Sequence, residues 1–87
     1  MNGTTLCKAD LQAAAKDLRY LARLVFENEV SMDQFPHFLR QRFRDGLKLH
    51  VNALYWAIDF WKRFPGESYA FFERGLKGIA YFMEEPR

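Results

Sequence analysis

At 87 residues the chain has room for one compact unit around one core. Its 49% apolar and 28% charged residues, with five glycines and three prolines, describe a globular protein and exclude a disordered, collagen-like or low-complexity chain. A formal charge of +2 excludes the whole-molecule field that announces nucleic-acid or anionic-membrane binding.

Aromatic residues make up 17% of the chain, and only Tyr20 and Phe26 of them precede residue 35. Each ring can bury roughly 150 to 250 Å². That matters in a domain this short, which buries only about 60 to 65% of its unfolded surface. Charge is uneven: residues 1–30 sum to zero, 31–66 to +3 and 67–87 to −1, so the positive excess falls around Arg40, Arg42, Arg44 and Lys48. Cys7 is the only cysteine, which leaves no internal disulfide and no thiolate zinc cluster. The first ten residues lack a basic start followed by an apolar run, and Val51 to Ile58, the longest near-apolar stretch, is far short of a membrane span. The expectation is a soluble, intracellular protein of the cytoplasm or nucleus.

The first helix is expected over 9–27. Leu11, Ala14, Leu18, Leu21 and Val25 recur at steps of three and four and share one face, while Gln12, Lys16, Arg19 and Arg23 line the other. The second is expected over 33–45. Ser31 and Gln34 have capping-box spacing, and Val30 with Phe35 that of a hydrophobic staple, but this register buries Pro36 too deep in the helix. A cap at Asp33 instead places Pro36 in the first turn, where no backbone N–H is needed, and is preferred. Phe35, Phe38, Leu39 and Phe43 then form the buried face, and Asp45-Gly46 ends the helix.

Helix three, expected over 47–64, carries two apolar stripes: Leu47, Val51, Leu54, Ile58 and Trp61, and Leu49, Ala53, Trp56 and Phe60. A helix apolar over most of its circumference is central in a bundle or lies between its own core and another subunit. Pro65-Gly66 breaks the chain before helix four, expected over 68–83. There Tyr69, Phe72, Leu76, Ile79 and Met83 form the core stripe, and Phe71, Gly75, Gly78 and Phe82 a second one. Two helical glycines cost about 1 kcal/mol each relative to alanine, so tight packing within the bundle or docking of a partner must compensate. The fold class is therefore all-α: one bundle of four helices with frayed tails at 1–8 and 84–87, a core that self-association would complete.

Enzyme motifs are absent from the sequence, and no cofactor is implied. His37 and His50, the only imidazoles, lack the spacing of helical metal ligands, so no metal is expected. Asp59 closes an apolar run and has Arg63 one turn on as its natural partner. The reading that follows is a non-enzymatic protein-interaction module, an adaptor, assembly subunit or inhibitor, that binds another protein or itself. Its expected contacts are Trp56, Phe60, Phe71, Gly75, Gly78 and Phe82, with Arg40 and Arg44 on the rim, because interfaces favour aromatic residues and arginine. The alternative is nucleic-acid binding through Arg40, Arg42, Arg44 and Lys48, although cations two residues apart fan around a helix instead of forming a row.

Overall fold

A computed structural model describes residues 7–84, and within them the chain is all-α. Four helices, α1 (Lys8–Glu27), α2 (Phe35–Arg44), α3 (Val51–Arg63) and α4 (Tyr69–Glu84), pack on one another, with a single 3-10 turn over Met32–Gln34 leading into α2. Of the expected tails, Lys8 and Glu84 are already helical and Cys7 is the residue before α1, while 1–6 and 85–87 lie outside the described residues.

The amphipathic spacing of α1 buries Ala14, Ala15, Leu18, Leu21, Ala22 and Val25. Its main partner is α4, which contributes Phe72, Leu76 and Ala80. Phe26 meets Tyr69 with ring centroids 5.8 Å apart while Arg19 pairs with Glu84, so the two helices run antiparallel. Alanine recurs where helices meet, at 14, 15 and 22 on α1, 53 and 57 on α3 and 80 on α4, all with no exposed surface. Small side chains there let axes approach closely, and the volume is filled by rings. Phe72 is fully buried, with Phe35 of α2 edge-on at 4.7 Å and Phe60 of α3 stacked at 5.5 Å.

The α1 terminus is a Schellman arrangement. Val30 N–H donates to the Val25 carbonyl and Glu29 N–H to that of Phe26, and the Asn28 side chain donates to Leu24 O at 2.8 Å. Glu29 holds the left-handed position, φ 47°, where glycine is usual. Neither anticipated cap opens α2 directly. Ser31 precedes the 3-10 turn, its hydroxyl donates to Asp33 Oδ1 at 2.7 Å, and Pro36 occupies the first turn of a helix that begins two residues after Asp33. Phe35 and Leu39 are buried, Phe38 is half-buried and Phe43 is exposed, so the core-facing stripe is narrower than the four residues expected. Gly46, φ 104°, ends α2 as its position foretold, and Gly66, φ 90°, turns the chain between α3 and α4.

Helix α3 starts four residues later than its composition suggested. Residues 47–50 lie outside the helix: Asp17 of α1 accepts the His50 backbone N–H at 2.6 Å, and the His50 imidazole then caps the new helix by accepting from Asn52 N–H through Nδ1 at 3.1 Å. Nε2 of the same ring faces Asp10 Oδ1 at 3.5 Å. At the far end the Trp61 indole N–H donates to the Met32 carbonyl at 2.6 Å. These two ties set α3 beside α1 in the same direction and antiparallel to α4.

Two outcomes test this architecture. Trp61→Phe leaves the Met32 carbonyl without its donor and should cost about 1–3 kcal/mol, read as a lower urea midpoint at unchanged slope. The second concerns acid. The Arg19 guanidinium holds the Glu84 carboxyl below its usual value, and hydrogen bonds from Cys7 and His50 lower that of Asp10. Carboxyls depressed in the folded state stabilise above their unfolded pKa of about 4 and lose that contribution as pH falls through the folded values. Melting temperature should therefore decline below about pH 4.5 in the wild type and less steeply in Arg19→Gln, whose Glu84 carboxyl should titrate higher by NMR.

Candidate protein-interaction surface

The α3–α4 hairpin decides which of the anticipated contact residues face outward. Because the two helices are antiparallel and joined at 64–68, the N-terminal half of α3 and the C-terminal half of α4 share the open end of the hairpin. Phe60 rings stack on Phe71 at 5.8 Å and Phe72 at 5.5 Å, which fixes how far along each helix the partners meet. One turn further toward the open end come Trp56 on α3 and Gly78 on α4, and Phe82 follows a further turn along α4.

The two glycines therefore differ in kind. A β-carbon at Gly75 would overlap Cε2 and Cζ of Phe60, whose ring is hemmed in by Phe64, Phe71 and Phe72. Gly75 is a hole filled from inside the molecule. Around Gly78 no atom beyond its immediate chain neighbours and its own helix backbone lies within 4 Å of where a β-carbon would sit, and the residue is exposed. Gly78 is a notch open to solvent, with Phe82 one turn on and 66% exposed.

Of the six contacts anticipated on these helices, Trp56, Gly78 and Phe82 are exposed, Phe71 and Gly75 are half-buried, and Phe60 belongs to the core at 9% exposure. The structure adds Tyr55, edge-on to Trp56 at 5.8 Å, and Phe64, which joins Phe60 and Phe71 at the turn. Both are exposed. Neither could be told from a core residue by periodicity, since Phe64 ends the helix and Tyr55 sits inside the longest apolar run. Asp59 and Arg63 pair at 2.9 Å across one turn, as their spacing requires.

Arg40 and Arg44 stand on the outer side of α2, whose tie to α4 is the Phe35–Phe72 contact at its first residue; no ion pair or hydrogen bond among the described residues carries them to the seam. Arg42 turns away to lie over the Phe38 ring at 4.9 Å, and Arg44 Nη1 reaches Gln41 Oε1 at 3.5 Å. Lys48 is exposed on the non-helical segment before α3. The basic set is thus dispersed around α2 and its exit, with Asp33 and Asp45 beside it on one shallow depression that also takes in His37 and Phe38. His37 is exposed and His50 serves as the α3 cap, and among the described residues no group of three or more histidine, cysteine or acidic side chains could hold a metal ion. No described helix is long and apolar enough to cross a membrane.

Comparison with protein-family models, with curated proteins and with solved structures finds no match to this chain.

The contrast between the glycines gives a direct test. Gly78→Ala gains helix propensity without a clash and should stabilise the fold by up to about 1 kcal/mol. Gly75→Ala gains the same propensity but must displace a packed ring, so it should destabilise by about 1–3 kcal/mol. Parallel urea titrations followed by circular dichroism separate the two signs.

Proposed function

We propose that this protein is a non-enzymatic interaction module that works by presenting the outer α3–α4 seam to a protein partner. The observation that carries the reading is the exposure of large rings toward the open end of one hairpin, Trp56 at 39% and Tyr55 at 63% on α3 and Phe82 at 66% on α4, with the open position of Gly78 one turn before Phe82. Monomeric proteins rarely leave a contiguous apolar patch of more than a few hundred Å² uncovered. Rigid aromatic anchors around a pocket are what the energetic centre of an interface consists of. An adaptor, an assembly subunit and an inhibitor all operate this way, by occupying a surface, and require no catalytic group.

The second reading, nucleic-acid binding through Arg40, Arg44 and Lys48, rests on their exposure without an acidic partner among the described residues. The two readings part in one experiment. Tagged wild type, Phe82→Ala and Arg40→Gln/Arg44→Gln proteins are used for pull-down from native extract with and without nuclease. Loss of a stoichiometric partner in Phe82→Ala alone, indifferent to nuclease, supports the seam. Loss in the arginine variant and on nuclease treatment, with salt-sensitive binding, replaces it with the basic segment.

A further inference from the structure

We infer that His50 is a proton-operated latch at the joint between α1 and α3: the neutral imidazole caps α3, and the imidazolium releases that cap while keeping its hold on α1. The inference concerns the response of the fold to pH and is independent of the interaction reading above.

Three contacts meet on this one residue. Its backbone N–H donates to Asp17 Oδ2 at 2.6 Å, ring Nδ1 accepts the Asn52 backbone N–H at 3.1 Å, and ring Nε2 lies 3.5 Å from Asp10 Oδ1. A ring nitrogen that accepts a hydrogen bond carries no proton, so the neutral ring bears its single proton on Nε2, on the side of the Asp10 carboxylate. The only place left for a second proton is the Nδ1 lone pair, which the Asn52 N–H already occupies. Proton uptake there would set donor against donor, so the cap bond and the imidazolium exclude each other. Serine, threonine, aspartate and asparagine are the usual capping residues, and none of them ordinarily changes charge between about pH 5 and 8. Histidine does, and 22% of this side chain is open to solvent, which gives the proton its route.

The surrounding charges decide where the imidazolium stays. Asp10 and Asp17 face it from α1, and hydrogen bonds from the Cys7 thiol and from His50 itself hold the Asp10 carboxyl below its usual range, so Asp10 remains ionised while an imidazole titrates. Lys48 is exposed two residues before His50, and Asp59 is the first charged residue along α3. Among the described residues neither α2 nor α4 places a side-chain hydrogen bond or ion pair on His50. A charged ring therefore has carboxylates on its α1 side and the positive end of the α3 dipole on the other. Protonation exchanges a cap for an ion pair. Helix α3 stays tied to α1, while its first turn, where Val51 is 71% exposed, loses the bond that His50 gives to Asn52.

NMR of the full chain tests the latch. At about pH 8 the ring nitrogen shifts of His50 should report the Nε2–H tautomer. As pH falls from about 8 to 5, the Asn52 amide proton should move upfield with the same midpoint as the His50 ring. Its protection against hydrogen exchange should drop roughly tenfold, the order expected for a lost N-cap. His37, exposed on α2, supplies a second imidazole transition that Asn52 should not follow. His50→Asn places a cap that takes up no proton at the same position, and Asn52 protection should then stay level over the range. An Nδ1–H tautomer at the alkaline end, an Asn52 amide indifferent to the His50 transition, or a His50→Asn chain that still loosens with acid overturns the inference. The wild-type titration decides the question alone where the variant does not fold. None of these readouts involves a partner, so the interaction reading stands or falls separately.

Discussion

Phe72 is the ring on which three helices converge. It is carried by α4, stacked on by Phe60 of α3 and met edge-on by Phe35 of α2, and it has no exposed surface. A chain this short cannot afford a broad aliphatic core, and the alanines of α1, α3 and α4 bring backbones close without filling volume. Three packed rings supply what the alanines omit. Aromatic pairs contribute about 0.5–1.5 kcal/mol beyond the area they bury, and here the geometry of one pair, Phe60 against Phe72, also fixes the position of α3 along α4. Helix α2 has few other attachments, so the Phe35 contact together with Leu39 largely determines where it lies.

That register has an outward consequence. Gly75 and Gly78 occupy the same stripe and are equivalent in sequence terms, yet a ring enters one and nothing enters the other. The difference arises from the turn at Pro65-Gly66, which sets how many residues separate Phe60 from its partner on α4. Filling the inner notch leaves the outer one vacant and keeps Trp56 and Phe82 at the surface. Interior packing and the exposed seam are two sides of one alignment.

Much of this was legible from spacing alone. The three-four recurrence of Leu11, Ala14, Leu18, Leu21 and Val25 marks the buried face of α1, glycine at 46 and 66 marks chain reversal, and Asp59 with Arg63 has the spacing of the ion pair that forms. What escaped was long-range. Residues 47–50 read as helical because Leu47 and Leu49 fit an apolar stripe, whereas the group that takes the His50 N–H is a carboxylate on Asp17, 33 residues earlier. No local pattern announces such a bond. Phe60 was likewise assigned to a surface by its stripe, and only the arrangement of α4 shows that the stripe divides, its inner member joining the core and Trp56 staying outside. Arg40 and Arg44 were drawn to the rim by residue type, an inference that carries no information about where α2 docks.

The placement of the two tryptophans has a practical side. Trp61 is half-buried with its indole N–H on the Met32 carbonyl, whereas Trp56 is on the outer seam beside Tyr55. Their fluorescence thus reports on separate parts of one molecule: emission from Trp61 follows the docking of the 3-10 turn, and accessibility of Trp56 to a dissolved quencher follows whatever covers the hairpin. With Trp61 replaced by phenylalanine or Trp56 by tyrosine, each signal can be recorded alone, and folding and assembly become optically separable without an added dye.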